Sequence, residues 1–145
     1  MKKKVIISNN PEKTFQIAKD LATVIKPPVV IGLSGELGAG KTVFAKGFAE
    51  GLKVKELITS PTFLGISESY TGVVPYIHMD FYKKVIYRDK IDFYLKKNSV
   101  VLIEWFENYE KVFNEKLALD VCVYIQYLKD NDGNILDNTR QIAIY

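Results

Sequence analysis

One segment of the chain matches the pattern G-x-x-x-x-G-K-[ST] at every defined position: Gly35-Glu36-Leu37-Gly38-Ala39-Gly40-Lys41-Thr42. Residues 29–33, which precede it, form an apolar run that predicts a buried strand. Residues 43–52, which follow it, carry apolar side chains at helical spacing. A strand, a glycine-rich loop and a helix in this order are the setting in which the pattern binds phosphate. A glycine-rich turn that merely caps a helix requires neither Lys41 nor Thr42, so we predict a site for a nucleoside triphosphate.

The residues of this phosphate-binding loop (P-loop) have separate predicted roles. Glycine lets the backbone curl until successive N–H groups point into one concavity, and the helix that follows adds the positive end of its dipole. Lys41 is predicted to reach the β- and γ-phosphates and to act in catalysis, and the Thr42 hydroxyl to coordinate Mg²⁺. The predicted nucleotide-binding residues of this segment are Gly35, Glu36, Leu37, Gly38, Ala39, Gly40, Lys41, Thr42 and Val43.

Length and composition indicate a single domain over residues 1–145, with 48% hydrophobic and 26% charged residues. No apolar run approaches the length of a membrane span, and only three apolar residues follow the basic start, fewer than a signal peptide needs. We expect a cytoplasmic protein that is monomeric when isolated. The net charge of +3 comes from 18 Lys and two Arg, without the clustered Arg and aromatic side chains of an RNA-reading surface.

The order of the other segments predicts an α/β fold: a three-layer, P-loop NTPase-like domain with a mixed parallel and antiparallel central sheet. The short polar gap at Thr71 and Gly72 favours a hairpin, and hairpins are antiparallel. Strands are predicted at residues 4–7, 29–33, 65–70, 73–79, 100–103, 119–128 and 141–145. Helices are predicted at residues 11–25, 43–52 and part of 81–97, and a short helix or turn is predicted near residues 108–115.

Two acidic residues compete for the second half of the site. Asp80 and Glu104 each follow an apolar run, where a P-loop ATPase places the carboxylate that holds Mg²⁺. The run before Glu104 is the more apolar, which favours a central strand and a metal-binding role for Glu104. Asp80 would then position or deprotonate the attacking water. Either acid is also typical of an ordinary helix start. The sequence leaves open which of the two binds the metal and which acts on the water.

Three further residues are possible site or core residues. The Thr62 hydroxyl, which follows Ser60 and Pro61, is a candidate to contact Mg²⁺ or the γ-phosphate. His78 is the only histidine and is interpreted as a hydrogen-bonded core or sheet residue. Cys122 lies in an apolar strand pattern and is interpreted as a small core residue. The guanine-reading motif N-K-x-D is absent from the sequence, so guanine specificity has no support.

Four short motifs in order resemble the TsaE (YjeE) family. They are Gly35-Glu36-Leu37-Gly38-Ala39-Gly40-Lys41-Thr42, Ser60-Pro61-Thr62-Phe63, His78-Met79-Asp80-Phe81-Tyr82 and Leu102-Ile103-Glu104-Trp105. The resemblance implies a bacterial P-loop ATPase of the machinery that makes threonylcarbamoyladenosine in tRNA. It also implies ATP and Mg²⁺ as cofactors, the TsaD and TsaB proteins as partners, and tRNA reached only through that complex. Low intrinsic turnover, stimulated by the partners, is expected.

The resemblance implies catalytic roles for Lys41, Asp80 and Glu104, and Mg²⁺ ligation by Thr42 and Glu104.

It also implies roles for three residues outside the P-loop. Thr62 would be a switch-like hydroxyl, Trp105 would be needed for activity beside the nucleotide, and Thr14 would approach the adenine. The sequence departs from the family at Lys83, where an arginine is usual, so a bidentate contact is not expected there.

A small-molecule P-loop kinase is the alternative interpretation. Such enzymes commonly close a lid bearing several arginines over the phosphates. This chain has only Arg88 and Arg140, which are too few for that lid.

Overall fold

The computed structural model describes residues 3–56 and 65–145. Seven strands in this part of the chain form one sheet in the order β1-β7-β6-β2-β5-β4-β3. The elements are β1 (Lys4–Ser8), α1 (Pro11–Val24), β2 (Val29–Gly35), α2 (Lys41–Gly51), β3 (Ile66–Ser69), β4 (Tyr76–Asp80), α3 (Arg88–Leu95), β5 (Val100–Glu104), α4 (Glu107–Phe113), β6 (Val121–Lys129) and β7 (Ile135–Ile144).

The strand that leads into the P-loop lies in the middle of the sheet. β2 pairs in parallel with β5 on one side and with β6 on the other, and β4 continues the parallel part beyond β5. The outer pairs, β1–β7, β6–β7 and β3–β4, are antiparallel. The predicted mixed sheet is therefore confirmed, and β5 neighbours β2 as its apolar sequence predicted, since strands buried on both faces are apolar throughout.

Helices cover both faces of the sheet, which confirms the three-layer architecture. One core joins α1 and α2 to side chains such as Ile31 and Leu33, with Phe44 and Phe48 fully buried one helical turn apart. The other core joins α3 and α4 to the opposite face, where Val30 points. Alternate residues of β2 thus serve opposite cores, as the pleat of a strand requires.

Helices α1 and α2 approach each other closely through glycine. A Cβ atom on Gly47 would collide with the backbone oxygen of Phe15, and one on Gly51 would lie 2.5 Å from the backbone oxygen of Lys19. Larger side chains at these positions would push α1 away from α2. The close approach therefore seats α1 beside the helix whose first turn completes the P-loop.

The start of α1 follows its predicted capping signals. The Asn10 side chain accepts a hydrogen bond of 2.8 Å from the Lys13 N–H, and Pro11 occupies the first turn.

Three details differ from the sequence-based expectations. The connection between β3 and β4 runs over residues 70–75, longer than the predicted turn, because the Val73 N–H donates to the Leu52 oxygen and anchors this loop on the end of α2. β7 begins at Ile135 rather than at residue 141, since it pairs with β6 as far as Lys129. Cys122 is only partly buried. Among the described residues, no helix has the length and apolar character that a membrane crossing requires.

Candidate nucleotide-binding site

The P-loop adopts a conformation that only glycine takes up readily. Gly38 has φ +79° and Gly40 has φ +116°, in the left-handed region, and Gly40 stands at the start of α2 without a side-chain cap. The Ala39 N–H donates to the Glu36 oxygen at 3.0 Å. Within the described residues, the N–H groups of Gly38 and Gly40 donate to no acceptor. Free N–H donors at a helix N-terminus are suited to an anion.

Lys41 is held against the P-loop backbone. The residue is only 7% exposed, and its Nζ donates to the Gly35 oxygen at 2.5 Å. The same Nζ lies 4.1 Å from the centroid of the Trp105 ring. Burial lowers the pKa of Lys41, and the nearby charges of Glu104 and Asp80 oppose that shift. The ammonium group is therefore poorly solvated and poised to bind an anion.

The two competing acids lie side by side at the ends of neighbouring strands. Asp80 ends β4, Glu104 ends β5, and the two are register partners across the parallel pair. Glu104 is 3% exposed, and its Oε2 is hydrogen-bonded to His78 Nε2 at 2.6 Å. His78 is thus a hydrogen-bonded residue buried in the sheet, as interpreted from the sequence. The pairing fixes the orientation of the Glu104 carboxylate toward the P-loop side of the sheet.

Asp80 differs from Glu104 in its environment. Its Oδ1 accepts a hydrogen bond of 2.9 Å from the Tyr82 N–H. Burial raises the pKa of Asp80, and the neighbouring charge of Glu104 raises it further, whereas the Tyr82 N–H and Lys41 act in the opposite direction. A carboxylate with a raised pKa is a better proton acceptor near neutral pH than an ordinary aspartate.

Two aromatic residues stand beside the acids. Trp105 has φ +55°, a strained conformation for a bulky side chain that costs on the order of 1–3 kcal/mol. Its ring packs against the Tyr82 ring with centroids 5.0 Å apart. Tyr82 was not predicted as a site residue. It nevertheless belongs to the motif His78-Met79-Asp80-Phe81-Tyr82, so the sequence could have indicated it.

These groups converge on one cleft of 350 Å³. It is lined by Leu37, Gly38, Gly40, Lys41, Thr42, Val43, Asp80, Tyr82, Glu104 and Trp105. All except Tyr82 were predicted from the sequence. Gly35 and Glu36 line a neighbouring groove of 580 Å³ that shares Trp105 with the cleft, and Ala39 is buried beneath the loop.

Comparison with known proteins identifies the family. A family model described as "Threonylcarbamoyl adenosine biosynthesis protein TsaE" matches residues 8–136. The chain belongs to the TsaE family.

Individual TsaE relatives match at different lengths. A protein of Bacillus subtilis named "tRNA threonylcarbamoyladenosine biosynthesis protein TsaE" is 47% identical over 98 residues, which cover 66% of this chain and 62% of the relative. A protein of the same name from Aquifex aeolicus is 33% identical over 91% of this chain and 93% of its own length. The crystal structure of Bacillus subtilis YdiB superposes with a TM-score of 0.76 at 36% identity, covering 99% of this chain and 84% of that one.

The hairpin of β6 and β7 supports the P-loop from outside the cleft. The Tyr127 hydroxyl donates to the Leu37 oxygen at 2.8 Å, and Arg140 Nε donates to the Ala39 oxygen at 3.1 Å. Neither side chain lines the cleft itself. Neither contact was predicted from the sequence, because the partners are 90 and 101 residues apart and no local pattern marks them.

Thr14, one of the residues implied by the resemblance, lies outside the nucleotide cleft. Thr14 is 3% exposed, and its hydroxyl is hydrogen-bonded to that of Ser8 at 2.7 Å. It lines a smaller cleft of 110 Å³ behind Gly40 together with Asn138, so its predicted approach to adenine stays a prediction. Thr62 lies outside the described residues, and Lys83 is exposed and does not line the nucleotide cleft.

The oxygen donors of the cleft fit a magnesium ion. Thr42 is exposed in the cleft, and Asp80 and Glu104 add carboxylates from the facing strands. Magnesium is usually held by one or two carboxylates together with substrate phosphates rather than by a closed protein cage. In the described ranges, no cluster of three or more His, Cys, Asp or Glu residues could hold a metal. A hydroxyl and one or two carboxylates are the ligands that a protein usually gives to magnesium bound with a nucleotide, and the cleft contains both kinds of group.

Proposed function

We propose that the chain is a Mg²⁺-dependent, ATP-binding and ATP-hydrolysing subunit of cytoplasmic tRNA threonylcarbamoyladenosine synthesis. It acts with TsaD and TsaB and reaches tRNA only through their complex. The observation that carries the proposal is the convergence of Lys41, Asp80 and Glu104 on the cleft in front of the P-loop. The relatives named for this modification support assigning the chain to it.

The P-loop binds the phosphates. The N–H groups of Gly38 and Gly40 donate to phosphate oxygens, and the first turn of α2 adds its dipole. Lys41 Nζ has three donors, of which one is used by the Gly35 oxygen. The remaining donors are available to the β- and γ-phosphates, and Trp105 shields the ammonium group from water.

Glu104 and Thr42 would hold the metal ion. A Mg²⁺ ion held there would supply neutralisation of the negative charge that develops on the phosphates during transfer to water. His78 fixes the Glu104 carboxylate, so the ligand oxygen is oriented before the nucleotide arrives.

Asp80 orients the attacking water and takes its proton. Its backbone partner at Tyr82 fixes one oxygen, which leaves the other free to accept. Burial raises the pKa of Asp80, which suits a carboxylate that accepts a proton.

A partner protein supplies part of the transition-state stabilisation. No arginine among the described residues lines the cleft, because Arg88 donates to Asp92 and to the Ala118 oxygen while Arg140 donates to the Ala39 oxygen. A cation provided in trans can raise hydrolysis by several orders of magnitude. The same observation weakens the small-molecule kinase alternative, which needs an arginine-bearing lid on the chain itself.

The test is the steady-state rate of ATP hydrolysis by the chain alone and after addition of TsaD and TsaB. We expect slow turnover alone and a strong increase with both partners, abolished in the Lys41→Met variant. An unchanged rate with both partners, together with failure to co-purify, would refute the partner-dependent role. Phosphate transfer to a small metabolite instead of water would establish the kinase alternative.

A further inference from the structure

We infer that Tyr127 and Arg140 are positioning residues for the P-loop. Each binds the C=O of a peptide unit in the loop and thereby sets the direction of the N–H of that same unit. This inference rests on the proposed binding of a nucleoside triphosphate in the cleft. It concerns two side chains that do not line that cleft.

The two hydrogen bonds fall on alternate peptide units of the loop. Tyr127 binds the oxygen of the unit that joins Leu37 to Gly38, and Arg140 binds the oxygen of the unit that joins Ala39 to Gly40. Both units are trans. In a trans peptide the N–H points opposite to the C=O. Holding the carbonyls outward therefore turns the N–H groups of Gly38 and Gly40 inward.

The need for such support follows from the flexibility of glycine. Gly38 and Gly40 both adopt positive φ. Among the described residues, the only backbone hydrogen bond within the loop before α2 begins is the one from the Ala39 N–H to the Glu36 oxygen. Glycine loses more conformational freedom than any other residue when it is fixed. An anion that had to order the loop itself would bind more weakly.

The two holding side chains also contact each other. Tyr127 and Arg140 are register partners across β6 and β7, and the Arg140 guanidinium lies 4.4 Å from the centroid of the Tyr127 ring. A Cβ atom on Gly38 would lie 2.8 Å from the Tyr127 hydroxyl, so the loop residue and the tyrosine are in direct contact. Arg140 is thereby assigned to the P-loop rather than to a lid over the phosphates.

The experiment compares Tyr127→Phe, Arg140→Gln and the double variant with the wild-type chain. Tyr124→Phe and Arg88→Gln are matched controls. Tyr124→Phe removes a hydroxyl from the same strand as Tyr127, at a ring that packs on Phe106 and Tyr145. Arg88→Gln removes the other arginine of the chain. Calorimetry measures the Kd of a non-hydrolysable ATP analogue and of inorganic triphosphate, each with Mg²⁺. Thermal melting without ligand is recorded in parallel.

Each single variant is expected to bind both probes about fivefold more weakly, the net worth of one hydrogen bond, with the controls at the wild-type Kd. Equal losses for ATP and triphosphate place the effect at the phosphates. Wild-type affinity in the double variant would overturn the inference, as would weakening that affects ATP but not triphosphate, or weakening shared by the controls. If the wild-type chain binds neither probe, the proposed function fails instead.

Discussion

Replacing Lys41 by methionine removes the ammonium group and keeps an unbranched apolar side chain in its place. Nζ has three donors, and one of them is used by the Gly35 oxygen. The others are free for phosphate, and hydrogen bonds to charged groups contribute about 1.5–3 kcal/mol each. At the lower value the loss is about 3 kcal/mol, or roughly 150-fold in Kd. We expect this weakening for Mg²⁺–ATP.

The same change should not destabilise the fold. Burial lowers the pKa of Lys41 from its usual 10.5, so the charged form is disfavoured in the folded state. That cost is fully present below the folded pKa and disappears as the pH rises past the unfolded value. Near neutral pH the melting temperature of Lys41→Met should equal or exceed that of the wild-type chain. Any gain should shrink toward alkaline pH.

Calorimetry with a non-hydrolysable ATP analogue, combined with thermal melting, tests both parts of this prediction. Lys46→Met is the matched control, because Lys46 lies exposed on the same helix. It should bind like the wild-type chain. If Lys41→Met is folded and its Kd stays within about threefold of wild type, the assigned role of the ammonium group is wrong.

Three other substitutions separate the remaining roles. Glu104→Gln should lower Mg²⁺-dependent hydrolysis about a hundredfold and nucleotide affinity far less, because the metal loses a charged ligand; normal turnover in a rate assay would assign the metal to Asp80 instead. Asp80→Asn should raise the melting temperature near neutral pH, since a raised pKa means that the charged carboxylate is disfavoured; the gain should shrink as the pH falls below the folded pKa and disappear below the unfolded pKa. A constant difference in melts across pH would contradict this. Gly47→Ala should destabilise by about 2–4 kcal/mol in urea unfolding, because its Cβ collides with the rigid backbone of Phe15; a wild-type midpoint would show that α1 can shift freely.

The parts of the site that could be predicted are those coded by neighbouring residues. The P-loop is a continuous segment, and the apolar run before Glu104 identified a strand beside β2. Asp80 was predicted at the same site because it also follows an apolar run, and the parallel pairing of β4 with β5 makes it the register partner of Glu104. These inferences need only local pattern and general sheet geometry.

The parts that were missed depend on register between distant segments. Tyr127 and Arg140 reach the P-loop only because β6 and β7 pair in a register interrupted between Tyr127 and Lys129. A one-residue slip in a strand moves each side chain to the other face. Periodicity could not reveal that register, and β7 was itself predicted six residues too short at its start. Tyr82 is the exception, because it belongs to the motif His78-Met79-Asp80-Phe81-Tyr82 and could have been found from the sequence.

Trp105 gives this site a built-in optical reporter. It is the only tryptophan in the chain, so selectively excited indole emission comes from the cleft and from nowhere else. Its ring has a positive charge 4.1 Å from its centroid and a tyrosine ring packed against it. Indole emission follows the local electric field, and phosphates that draw Nζ away from the ring would change that field. We therefore expect the kinetics of nucleotide binding to be measurable in unlabelled protein from the intensity and wavelength of Trp105 fluorescence.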